Sequence, residues 1–351
     1  MGAGAEAERR VLPASIPLQA LHRYFRDPGR DLLERRLQLS FDGLADDRLP
    51  EHEPLDACLP RVEGIARRLL FEVLLRQQPT SVDEVSMPPH LAHGGLLPTG
   101  RIGEDAWRRE RDEAWHLYEV IGERGWLPPR EIDAGPIGLS TLEGLPVIEG
   151  VVAGVYPYGQ GDMLLRSAGA DFDAKKNAFK LRKEADLDFG KRIPIFLDWA
   201  LLRLQTSAGD ARALRLALPL VEAAAPWSDA INRWDARFIA ADALERGAMA
   251  THLRRRVHGL LMHWHEAEHL RYFPKSSWLM RDHADAGAFA KAFEGGSHAT
   301  GEGDYGAGQM RWLARGGDWH NEDLEALHRH AVELQVLIDL AEAQTDAGAP
   351  A

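Results

Sequence analysis

The sequence predicts a mixed α/β domain of the α+β kind, with a small mixed sheet flanked by many helices. Three observations carry this. Apolar residues recur at three- and four-residue spacing between 15 and 122, a β-rich run with turn chemistry follows at 137–165, and helical periodicity returns from 193 onward. No internal repeat divides the chain.

Ser15 reads as a helix start, with Pro17 at an early position and Leu18, Leu21, Tyr24 and Phe25 forming one face. Asp27 caps a second helix, which carries Pro28 in its first turn and Leu32, Leu33, Leu37 and Leu39 inward. Glu51 to Pro60 is a polar connection. Over Val62 to Arg76 the spacing of Ile65, Leu69, Leu70, Val73 and Leu74 predicts an amphipathic helix, with Arg67, Arg68 and Glu72 outward. Pro79 to Pro98 holds four prolines and a Gly-Gly pair, so it is loop. Glu104 to Gly122 is helix again, acidic in its first turn and carrying Trp107, Arg111, Trp115 and Tyr118.

Strand character begins at Ile137. Val151, Val152, Val155 and Tyr156 make a β-rich run, Pro157 to Gly161 is turn chemistry, and Met163, Leu164 and Leu165 start a second run, which together predict a hairpin. Ala170 to Lys191 mixes both charge signs and reads as a solvated insertion. Ile193 to Leu204 is an apolar helix and Ala211 to Leu220 a strand. Arg237 to Gly247 and Ala248 to Leu270 are helical, with Pro274 ending the second. Glu322 to Ala343 is amphipathic through Leu324, Leu327, Val332, Leu334, Leu337 and Leu340.

At 351 residues and 45% hydrophobic content the chain can bury a substantial core. Its net charge of -12 argues against a surface that binds nucleic acid everywhere, although 42 Lys and Arg leave room for local basic patches. One cysteine, Cys58, excludes an internal disulfide framework and any Cys-based zinc or iron–sulfur site, which points to the reducing cytoplasm. No run approaches the ~20 apolar residues of a membrane span, so no membrane partner is expected.

The hairpin has the shape of a metal-binding hairpin of the PD-(D/E)xK nucleases, which need carboxylates on two strands and a lysine to hold Mg²⁺ and orient water. In the pattern Gly-x-x-Asp followed by Asp-x-Lys, the aspartate positions fall on Ala153 and Arg166 and the lysine position on Ala168. An alanine offers no ligand, and an arginine repels the ion.

Other signals compete. His265-Glu266-Ala267-Glu268-His269 matches HExxH, which would set two imidazoles on one helical face beside a general-base Glu. The alternative function is therefore a zinc hydrolase using His265 and His269; the plain reading is a polar, His-rich helix face. Gly301 to Gly306 matches GxGxxG, but Glu302 and Asp304 would repel phosphate and no strand precedes it. No phosphate-binding Gly-x-x-x-x-Gly-Lys motif or serine elbow is present, and no cofactor is expected. Lys175, Lys176, Lys180, Arg182 and Lys183 interleave with Phe172 and Phe179, a pattern suited to single-stranded nucleic acid, although a solvated charged insertion is the plainer reading. Tyr156 and Tyr158 read as core or interface aromatics, with DNA contact as the second possibility.

Several phrases occur together and in order: LHRYFRDPGRDLLERRLQLSF, LPTGRIGEDAW, RYFPKSSWL and AFEGGSHATGEGDYGAGQMRW. They resemble the C-terminal part of the exodeoxyribonuclease V gamma subunit family, RecC, over about Pro17 to Leu340. The resemblance implies a restriction-endonuclease-like PD-(D/E)xK core that has lost its nuclease. Active relatives carry Gly-x-x-x-His on a helix, and here Gly103 is followed at that spacing by Trp107, a fourth vacant position. It also implies work within a helicase–nuclease complex that repairs double-strand breaks by recombination: splitting duplex DNA and contacting RecB and RecD, which hold the motor and nuclease activities. On this reading the chain is a detached C-terminal portion. Residues 1–14 and 344–351 are tails around a domain at 15–343, in which 15–135 is helical, 136–220 is the degenerate core with its insertion at 170–191, and 221–343 is helical.

Overall fold

The computed structural model describes residues 12–28, 69–89, 100–123, 137–166, 170–173, 178–181, 189–205, 212–218, 226–266, 295–296, 299–300 and 321–340, with a few single positions between them. In chain order these form β1 (Ser15–Pro17), α1 (Leu18–Arg26), a π-wound segment Leu69–Leu74 running into Leu75–Gln77, and α2 (Gly100–Glu123). Next come β2 (Ile137–Gly138), β3 (Val147–Glu149), β4 (Val151–Val152), β5 (Val155–Tyr158) and β6 (Gly161–Leu165). They are followed by β7 (Ala170–Asp173), β8 (Ala178–Leu181), α3 (Phe189–Gln205), β9 (Leu214–Ala217) and α4 (Pro226–Ala240). Last are α5 (Ala243–Glu266), β10 (Gly295–Gly296), β11 (Ala299–Thr300) and α6 (Asn321–Ile338). The architecture is thus mixed, with long helices around small sheets.

Its centre is a three-stranded sheet in the order β5-β6-β9, in which β5 and β6 are an antiparallel hairpin and β9 runs parallel to β6. A parallel neighbour requires a crossover, and the connection through α3 supplies it. Side chains alternate across a strand, so each strand feeds two cores. Val155, Leu164, Leu214 and Leu216 join Phe196 and Trp199 of α3, Trp234 and Phe238 of α4, and Leu260 of α5. Tyr156, Met163, Leu165 and Ala217 join Leu70, Leu74 and, from α2, Trp107 and Tyr118 on the opposite face. Each large side chain so buried contributes ~1.5–3 kcal/mol.

The outer edge of β9 is closed by side chains of α4. Leu216 N donates to Asn232 Oδ1 at 2.8 Å, and Asn232 Nδ2 donates back to Leu216 O at 3.0 Å. Leu214 N donates to Asp235 Oδ2 at 2.8 Å, while Asp235 Oδ1 takes Arg203 Nη1 at 2.6 Å. Arg203 is 1% exposed and also donates to the Arg212 carbonyl at 2.6 Å. Burial pushes the Asp235 carboxyl above its ordinary range, against the pull of Arg203 and the Leu214 amide.

Helices α5 and α6 pack antiparallel. Arg256 donates to the carbonyls of Val336 and Asp339, and two turns further along α5 His263 faces His330 and Glu333. Burial pulls the His263 ring below the ordinary imidazole range.

Several expectations need correction. Ser15–Pro17 is strand because it pairs in parallel with Val147–Glu149, and Ser15 Oγ donates to Glu149 Oε1 at 2.5 Å. The helix begins at Leu18 instead, with Leu18, Leu21, Tyr24 and Phe25 buried as expected. The first β-rich run is two strands: β4 pairs with β2, β5 pairs with β6, and Ala153–Gly154 lies between them. The charged stretch 170–191 contains a hairpin, β7–β8, in which Phe172 opposes Phe179, and its last residues already belong to α3. The break between α4 and α5 falls at Ala241–Asp242, where Asp242 Oδ1 accepts the Leu244 and Glu245 amides at 2.9 Å, and not at Gly247. Val332 is 43% exposed, off the buried stripe of Leu334 and Ile338. Of the helix expected from Asp27, Pro28, Asp31 and Glu34 are helical and the Asp31 amide donates to Asp27 O at 3.0 Å, while Leu32, Leu33, Leu37 and Leu39, together with Pro274 and Gly301 to Gly306, lie outside the described residues.

Candidate functional site

Strand β6 ends at Leu165, and alternation aims the next side chain, Arg166, at the α1–α3 side of the sheet. Its own amide continues the ladder to Ala217 O at 3.1 Å, which fixes where the side chain starts. From there the guanidinium reaches three groups. Arg166 Nη1 donates to Ala153 O at 2.6 Å and to Leu165 O at 3.1 Å. Arg166 Nε and Nη2 both donate to Asp198 Oδ2, at 3.1 and 2.5 Å. The other carboxylate oxygen, Asp198 Oδ1, lies 2.8 Å from His22 Nε2 of α1.

Gly154 makes room for this arrangement. Its φ of +71° is left-handed, and a Cβ there would stand 3.0 Å from both Arg166 Nη1 and Leu165 O. Asp198 is 5% exposed in the middle of an apolar helix, and a lone buried carboxylate there would be costly. Burial alone would raise its pKa, but the His22 contact and the Arg166 charge outweigh it and hold the carboxyl below its ordinary range. The cluster is a neutralised, hydrogen-bonded filling of the space where the hairpin reading expects acids. A divalent ion placed there would meet a guanidinium.

The structure therefore brings Ala153 and Arg166 into direct contact. Trp107, 8% exposed, packs on the other face of the sheet, in the core formed with α2. Ala168 lies outside the described residues, as do Lys175, Lys176, Arg182 and Lys183; of Lys180 the structure gives only a place in β8, opposite Asp171. Tyr156 is 8% exposed in the α2-side core. Tyr158 is half-buried, and its hydroxyl accepts from Arg215 Nη1 at 3.3 Å with the guanidinium 5.4 Å from the ring centre. His265 lies at the end of α5 beside Trp264, and His269 is outside the described residues.

Asp198 and His22 were missed by the sequence reading. One signal was available: the run Ile195-Phe196-Leu197-Asp198-Trp199-Ala200-Leu201 places a single acid where an apolar helix must bury it, and such an acid needs a cation.

The sheet β5-β6-β9 thus carries, at the end of β6, a buried cluster of Arg166, Asp198 and His22 tied to the Ala153 carbonyl. A family model for the RecC C-terminal domain matches residues 13–285, and the chain belongs to that family. It is similar to the RecBCD enzyme subunit RecC of Escherichia coli (strain K12), 29% identical over 140 residues, which is 40% of this chain and 12% of that protein. The matching family is RecC, and nothing in the match supports a zinc hydrolase built on His265 and His269.

Proposed function

We propose that this chain is a non-catalytic, nuclease-like domain of a RecBCD-type exodeoxyribonuclease V complex. It supports separation of duplex DNA and assembly with RecB and RecD, in the repair of double-strand breaks by recombination in the cytoplasm. The single observation that carries the reading is the Arg166 guanidinium, which joins Ala153 O to Asp198 where a PD-(D/E)xK core would hold its metal. Metal-assisted hydrolysis needs an acidic cage that positions an ion and acidifies its water; here the same space holds a cation. Membership of the RecC family supports the choice of complex. Candidates for DNA contact are Lys175, Lys176, Lys180, Arg182 and Lys183, on the interleaving of cations and aromatics in their sequence, together with Tyr156 and the half-buried Tyr158 of the hairpin.

The test is co-expression with RecB and RecD followed by DNA binding and cleavage assays. The expected result is co-purification, DNA affinity that falls steeply with salt, and no Mg²⁺-dependent cleavage by the chain alone. Reproducible cleavage by the chain purified free of its partners overturns the proposal.

A further inference from the structure

His263 on α5 and His330 and Glu333 on α6 bring one ligand atom each to within 4.8 Å of one another. Glu333 Oε2 stands 3.6 Å from His263 Nε2 and 3.4 Å from His330 Nδ1. A zinc ion with bonds of ~2.0–2.1 Å and tetrahedral angles sets its ligands ~3.3 Å apart, so two of the three spacings are near coordination distance. The rings meet edge to face, 5.5 Å between centres and 82° between planes, and a small rotation of the exposed Glu333 and of one ring completes the approach. We propose that His263, His330 and Glu333 form a transition-metal site of the zinc type that clasps α6 to α5.

The scaffold is suited to it. Gly259 lies one turn before His263 on the same face, and a Cβ on Gly259 would fall 2.6 Å from Leu337 Cδ2, one turn after Glu333. The helices therefore approach closely beside the cluster, which holds the donors of two elements near one another. His330 and Glu333 share one face of α6 at three-residue spacing, so that helix supplies two ligands without distortion. Two imidazoles with one carboxylate favour a borderline first-row ion over Mg²⁺ or Ca²⁺. Three protein ligands leave the fourth position to water, on the side where Glu333 is exposed. The role is structural: the ion would fasten α6, which lies beyond the matched segment 13–285, to α5 within it.

The experiment uses the full chain, stripped with chelator and titrated with zinc chloride, with cobalt as a spectroscopic substitute. The expected results are one zinc per chain, a higher Tm with metal, and a cobalt spectrum of tetrahedral intensity. Glu333→Gln, an exposed change that leaves folding intact, should weaken binding at least tenfold, and His330→Gln should abolish it. His265→Gln should leave binding unchanged, which separates this site from the HExxH motif. Equal uptake by wild type and a His330→Gln/Glu333→Gln double variant, or no stoichiometric uptake by wild type, overturns the proposal and leaves the three residues as polar packing.

Discussion

Arg166 donates through Nη1 to the carbonyl oxygen of Ala153 at 2.6 Å, so two positions thirteen residues apart, both read as vacated metal ligands, are tied to each other. The same guanidinium neutralises Asp198. The cluster is a structural junction among β6, the β4–β5 break, α1 and α3.

Removing the cation alone should be costly. Arg166→Leu leaves Asp198 buried with only His22, and we expect a loss of about 2–3 kcal/mol in urea denaturation, the lower range for a broken buried pair because Arg166 keeps some solvent access. The double variant Arg166→Leu/Asp198→Leu should recover part of that loss. Additive losses would show that the two side chains are not coupled.

The same pair sets an acid response. The folded Asp198 carboxyl is held below its ordinary value, so its contribution is complete above the unfolded value of ~3.9. As pH falls below that point toward the folded value, the unfolded chain takes up the proton first and stability declines. Asp198→Asn should flatten this part of the acid-denaturation profile; parallel profiles for the two proteins would contradict it.

Gly154→Ala tests the passage for the guanidinium. A left-handed φ costs an L-residue ~1–2 kcal/mol, and the new methyl meets Arg166 Nη1 and Leu165 O. We expect a fall in stability of about 2 kcal/mol or more, together with weakened protection from hydrogen exchange at the Leu165 amide, which donates to Gly154 O at 2.9 Å.

Asn232→Ala should strip two bonds from β9 and leave Leu216 N and O without that partner, at about 1–3 kcal/mol. Faster exchange at the Leu216 amide, with Met163 and Leu164 of β6 little changed, is the local signature. Unaltered exchange there would mean that another group takes over.

Much of this fold is legible in the sequence because its helices carry strong three-to-four periodicity: α2, α3 and α6 fall close to their expected places. The hairpin is legible from Val155 to Leu165, as is β9, since their apolar residues are bounded by turn chemistry. What is not legible depends on partners distant in sequence. Ser15–Pro17 is too short to show a period and becomes strand only through Val147–Glu149. The split at Gly154 follows from a left-handed φ that several glycines of this segment could have supplied. Ala153 and Arg166 stand out in the sequence, but the cluster around Arg166 does not, because Asp198 and His22 reach it from two other elements. The His263, His330 and Glu333 cluster is hidden for the same reason: its members are spread over about seventy residues, while the conspicuous motif nearby is His265-x-x-x-His269.

The side-chain closure of β9 by Asn232 and Asp235 limits how this domain can join other chains. A foreign polypeptide cannot lengthen the sheet by adding a strand along that rim, since the main-chain groups it would need are already spoken for. Among the described residues of this sheet, strand addition is left to the β5 rim, and sheet growth along β9 is blocked from the outset.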